Sequence, residues 1–162
     1  MADPETEDLA AKYPSVELAY PFAAGSYESA LKRFDAVDGK IQSILSLGVT
    51  LSLPIPLAGN ALQLSFLSFW FMAASLAFLG AVGLGIVARM TGRLVLPDPG
   101  QMYTHWLHFP TWEFKKNFIY FAGDHFKRNC DLIDRKAWIS GIMSALFALE
   151  VVCLVFWVAS HL

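Results

Sequence analysis

The sequence predicts an all-α integral membrane protein with three transmembrane helices. An amphipathic N-terminal helix precedes them, and a small cytoplasmic helical insert separates spans two and three. Three observations carry this. Charged residues make up only 16% of the 162 residues, against about 25% in an average soluble domain. Ile41 to Ala88 contains no Asp, Glu, Lys or Arg, and from Ala137 onward only Glu150 interrupts the apolar run. A bilayer asks for about 20 apolar residues per helical crossing, whereas a soluble core has no need of charge-free runs this long. Finally, the 12 Lys and Arg residues all fall outside the three apolar stretches, and all toward one side of them.

Residues 1–24 hold four early acids and three prolines (Pro4, Pro14, Pro21) without a sustained period. This composition predicts a flexible acidic tail, with a short helix at most around Asp8–Tyr13. Its acidic start is the reverse of a signal peptide's basic n-region. Ser26 suits an N-cap, and Tyr27, Leu31, Phe34, Val37 and Ile41 recur at intervals of four and three. Residues 25–40 therefore read as an amphipathic cytoplasmic helix. It runs into a first span over 41–58, rich in Ser, Thr and Gly and closed by Pro54 and Pro56. After the turn signal at 56–60, the second span occupies 62–88.

The segment 89–137 follows as a cytoplasmic insert. Leu94-Val-Leu reads as extended up to Pro97. Asp98-Pro99-x-Gln101 has the pattern that opens a short helix. Pro110-Thr111 then starts a helix through Trp112, Phe118 and Leu132 that continues into the third span, 138–160, with Gly123 as its expected kink.

The Lys and Arg distribution sets the orientation. None stands between spans one and two, and none follows span three. The positive-inside rule places the N-terminus and the insert in the cytoplasm and the C-terminus outside the inner membrane. Net charge is −2, so no basic field points to nucleic acid. Cys130 and Cys153 fall in different environments, which argues against a structural disulfide.

Several residues are candidates for function. Ala73, Ala77, Ala81 and Gly85 form a small-residue ridge on span two, a surface for close helix packing within one chain or between copies. Glu150 lies near the middle of span three, where a charge costs about 2.5–3.5 kcal/mol on insertion scales. Ser46 or Thr50, another subunit's Glu150, or water are its expected partners. It reads either as a protonated acid with one hydrogen bond or as a residue of subunit packing or a pore. In the insert, Trp106 with Lys115, Lys116, Lys127 and Arg128 is a candidate ligand-binding group, since aromatic faces and cations stack a base and hold a phosphate. The plainer reading is a small domain core with interfacial anchors. His105, His108 and His125 with Asp124 lack a second ligand pair, so no metal site is expected. No catalytic motif is present, and neither an enzyme nor a cofactor is expected.

Asp38-Gly39-Lys40 at the inner mouth of span one, Arg89 and Arg93-Leu94 at the exit of span two, and Lys136 at the entry to span three resemble features of small bacterial antiphage membrane effectors. These are the Pycsar-type transmembrane effectors and the related SLATT-type proteins, and the resemblance covers roughly residues 26–158. It implies an oligomeric effector that permeabilises the inner membrane after a nucleotide signal. The chain departs from that pattern in having no separate nucleotide-binding domain and in the prolines closing span one. Sensing then falls to residues 89–137, with a cyclic nucleotide as ligand, or to a cytoplasmic protein partner. The competing reading is a non-enzymatic membrane anchor for such a partner, docked on the aromatic 99–130 surface. A constitutive channel would normally show broken helices at the midplane, which Pro54 and Pro56 lie too far out to supply.

Overall fold

A computed structural model describes residues 13–61, 64–98, 100 and 102–160. Regular structure among them is helical: α1 (Val16–Ser52), α2 (Ile55–Ala61), α3 (Phe69–Met90), a π-helical turn at Met102–Trp106, and α4 (Thr111–Ala159). Two of these, α3 at 22 residues and α4 at 49, are long and apolar enough to cross a membrane.

Four boundaries differ from the sequence expectation. Helix α1 begins at Val16, ten residues ahead of Ser26, so residues 16–24 are helical and not a flexible tail. Its first turn is anchored by the Ser15 carbonyl, which accepts from Leu18 N and Ala19 N at 3.1 and 2.8 Å. Pro21 stands inside the helix, where its ring removes one backbone donor. The short helix expected around Asp8–Tyr13 lies almost wholly outside the described residues. The first span, expected over 41–58, ends as a continuous helix at Ser52. Pro54 lacks an N–H and clashes with the preceding turn, so the chain turns at Leu53-Pro54 and resumes as the seven-residue α2.

The helix expected over 62–88 starts at Phe69. Ser68 caps it, with its hydroxyl accepting from Phe71 N at 3.3 Å. Its end matches a helix stop: Thr91 Oγ1 donates to the Val87 carbonyl and Gly92 takes φ 55°. Where Asp98 was to open a short α-helix, its side chain instead accepts from Gly100 N at 2.9 Å. The turn that follows is π-type, with Leu107 N bonding the Met102 carbonyl at 3.2 Å. Pro99 and Gln101 of that motif lie outside the described residues. Helix α4 is unbroken from the insert through the third apolar stretch, including Gly123.

The chain divides into two compact units, one from residues up to Arg33 with Arg93–Ile133, the other from Phe34–Gly92 with Asp134 onward. In the first, the N-terminal part of α1 packs along the start of α4. Glu17 pairs with Lys115 at 2.5 Å, and Tyr20 meets Phe118 edge-on at 5.3 Å. In the second, Ile41, Ala88, Ile139 and Met143 form the core, with Val37, Ile44, Leu45 and Leu84 packed against it. Trp157 seals one end of this second unit: its Nε1 donates to the Ser65 carbonyl at 2.9 Å and its ring lies near Phe66 and Phe71. Gly59 allows that seal, because a Cβ there would stand 2.6 Å from the Phe66 ring.

The buried stripe of α3 is Ala74, Ala77, Ala81, Gly85 and Ala88. Three members of the expected ridge are buried, but Ala74 replaces Ala73, which is only half-buried. Four residues overshoot a full turn by about 40°. Three such steps carry a strict four-residue ridge about 120° around the helix, while alternating steps of three and four stay on one face.

Candidate functional site

Within the second unit, two polar contacts join α1 to α4. Lys136 Nζ pairs with Asp38 Oδ1 at 2.9 Å, with the ammonium also 4.2 Å above the Phe34 ring. Fourteen residues further along both helices, Ser52 Oγ donates to Glu150 Oε1 at 3.0 Å. Both pairs are separated by 98 positions in sequence. Equal spacing on both helices means they run parallel and in step, and fourteen residues is two heptads. In the first unit, the Glu17–Lys115 pair has the same separation of 98.

Glu150 is 2% exposed. One oxygen takes the Ser52 hydrogen bond, and the other, Oε2, is buried with no partner among the described residues. The carboxyl lines a cavity of about 250 Å³ whose other walls include Ser52, Phe71, Ser75, Phe78 and Leu154. The hydroxyl partner comes from the first apolar stretch, but it is Ser52 and not Ser46 or Thr50. Thr50 spends its proton on the Ser46 carbonyl at 2.8 Å, and both residues face outward. The in-step register, which brings residue 52 opposite residue 150, decides this.

The resemblance-bearing residues separate into two groups. Asp38 and Lys136 meet in the buried pair, whereas Lys40, Arg89 and Arg93 are exposed. The insert cations do not converge on Trp106. That ring packs on Phe114 and Phe121, at 5.8 and 6.4 Å between centroids. Lys115 is taken by Glu17, and Lys116 lies over Trp112 and Tyr13 at 4.9 and 5.5 Å. Lys127 and Arg128 are exposed on α4, about 18 Å further along the helix. His105 and His108 are exposed, and His125 packs edge-on to Phe121 at 4.6 Å. Among the described residues no three His, Cys, Asp or Glu gather as a metal site. Cys130 and Cys153 are both free thiols, the second buried.

No protein-family model matches the chain, and neither does any curated protein or solved structure.

One polar cluster was missed in the sequence reading. Asn129, fully buried on α4, clasps the backbone of Val95: its Oδ1 accepts from Val95 N at 3.0 Å and its Nδ2 donates to Val95 O at 3.2 Å. Tyr27 of α1 donates its hydroxyl to the same carbonyl. The side-chain amide therefore satisfies both polar groups of one residue in the stretch 92–98, which forms no ladder of its own. Burial pushes the Tyr27 phenol above its usual range, partly offset by its hydrogen bond with Asn129. A sequence signal existed for this cluster. Ala122, Asn129, Lys136, Met143, Glu150 and Trp157 stand at sevenfold spacing on α4, and every one is buried.

Proposed function

We propose that this chain is an oligomeric membrane effector that permeabilises the bacterial inner membrane in antiphage defence, in response to a nucleotide signal. It crosses the bilayer three times, through α3, the apolar half of α4, and the end of α1 together with α2. The N-terminus and residues 89–137 are cytoplasmic and the C-terminus lies outside, a reading supported by the Lys and Arg distribution.

The observation that carries this reading is the inverted polarity of the second unit. Leu47, Leu76, Leu79, Ile86, Val152 and Phe156 are exposed on its surface, while Lys136, Ser140 and Glu150 are buried inside it. Apolar surface this extensive suits lipid, and an acid inside a lipid-facing bundle is a functional residue by default. The single Ser52 bond to Glu150 is the kind of contact that two packings of α4 would share unequally. A ligand that prefers one packing shifts the population toward it, by no more than its difference in affinity for the two.

The test is membrane potential in bacteria expressing the full chain, read by a potential-sensitive dye while cyclic nucleotides are supplied. Depolarisation by one nucleotide in the native chain, abolished in Glu150→Leu at equal membrane abundance, is the expected result. Unchanged potential with every nucleotide, or full killing by the Glu150→Leu chain, sinks it.

A second reading, an anchor for a cytoplasmic protein, draws on the exposed rings of Phe109, Tyr120 and Phe126. It predicts a stoichiometric partner that stays bound when Glu150 is changed and is lost on Tyr120→Ala with Phe126→Ala.

A further inference from the structure

We infer that the face of α1 carrying Gln42, Ser46 and Thr50 lines an aqueous path formed where copies of this chain assemble. The inference rests on the membrane reading above and assigns the path to span one, not to Glu150 of span three.

The argument is the direction in which α1 presents its polar residues. At about 100° per residue, Gln42, Ser43, Ser46 and Thr50 fall within an arc of about 100°. All four are exposed. Ile41 and Gly48, both buried, lie on the opposite side of the helix, where the core of the second unit sits. A helix whose outer side faced only hydrocarbon would place its polar residues inward; Ser52 does turn in to Glu150, whereas Gln42, Ser43, Ser46 and Thr50 all face outward. The exposed apolar residues of this stretch, Val49 on one flank and Leu47 and Leu51 on the other, border the polar arc. They supply apolar rims through which neighbouring copies pack, with the polar strip between them left to water.

The hydrogen bonds suit a chain that must first exist alone in the bilayer. Ser43 Oγ donates to the Gly39 carbonyl at 2.9 Å and Thr50 Oγ1 to the Ser46 carbonyl at 2.8 Å. Their protons are satisfied within the helix, so the strip tolerates lipid, while the oxygen lone pairs stay outward to accept from water. A groove of about 450 Å³ runs along this face, bordered by Gln42, Ser46 and Thr50, by the apolar Leu45 and Val49, and by Arg89 of α3. Glu150 is sealed inside its own subunit and does not reach such a path.

Cysteine accessibility in proteoliposomes tests this. In a full-length background with Cys130→Ser and Cys153→Ser, the single changes Ser46→Cys, Thr50→Cys, Leu47→Cys and Leu51→Cys are each exposed to a charged, membrane-impermeant methanethiosulfonate. At high protein-to-lipid ratio, modification at 46 and 50 is expected to be at least tenfold faster than at 47 and 51. Dilution into excess lipid should abolish that difference. Equal rates at all four positions, fast or slow, overturn the inference, as does faster reaction at 47 and 51. The two proposals fail separately. A clear 46/50 pattern without nucleotide-dependent depolarisation keeps the path and removes the effector reading. Depolarisation without the pattern does the opposite.

Discussion

Lys136 and Asp38 share one ion pair on unequal terms, because the lysine side chain is 3% exposed and the aspartate 43%. Removing the lysine leaves a carboxylate that water already reaches, whereas removing the aspartate leaves a buried ammonium over the Phe34 ring without its ion-pair partner. Breaking a buried pair from the side that strands a charge costs about 3–5 kcal/mol. Asp38→Ala should therefore destabilise the protein by about that amount, while Lys136→Met, which keeps the volume and removes the buried charge, should stay within about 1 kcal/mol. Reversible unfolding in mixed micelles measures both, and equal losses would show that the pair does not act through stranded charge.

At the scale of the element, α4 carries one seam. Its members from Ala122 to Trp157 repeat every seven residues and are buried throughout. Three of them are polar, and each meets its own partner: Asn129 the Val95 backbone, Lys136 Asp38, and Glu150 Ser52. A slip by one residue would strand every one of them, so polar seam residues set register at some cost in stability. Helix α3 contributes closeness instead. A Cβ on Gly85 would stand 2.8 Å from Leu45 Cδ2 and 3.1 Å from Met143 Cε, whereas one on Gly83 meets nothing within 4 Å. Gly85→Ala should cost about 1–3 kcal/mol by overpacking. Gly83→Ala should be neutral or gain up to about 1 kcal/mol from helix propensity. The same unfolding experiment checks the contrast, and a stable Gly85→Ala would mean that α3 packs more loosely than this.

For the whole molecule, the deciding quantity is where its apolar surface goes. Leu76, Leu79, Val155 and Phe156 are among many exposed large apolar side chains, a surface compatible with lipid contact. A bilayer removes the penalty at about 25 cal/mol per Å² of apolar area. The full chain should accordingly stay in the membrane pellet after an alkaline carbonate wash and leave it only with detergent. Release by carbonate alone would place it outside the bilayer.

Helix content and two of the three expected long apolar helices were legible because charge-free runs and apolar spacings of three and four are local properties of the chain. The stop of α1 at Ser52 lies short of the 41–58 expected for the first span, because Pro54 ends the helix where the apolar composition alone would carry it on. The start of α1 was not legible. Pro21 argued locally for a break, but the helix gains contacts along α4, among them Glu17 with Lys115 and Tyr20 with Phe118, that outweigh one lost hydrogen bond. Glu150 announced itself as a buried acid, and Asp38 and Lys136 as charges at span ends. That Ser52 holds the first, and that the other two hold each other, followed only from the register of two helices whose partners stand 98 residues apart. Spacing along one helix is written in the chain; which residue of another helix stands opposite is decided by packing, and that is where the polar partners were assigned.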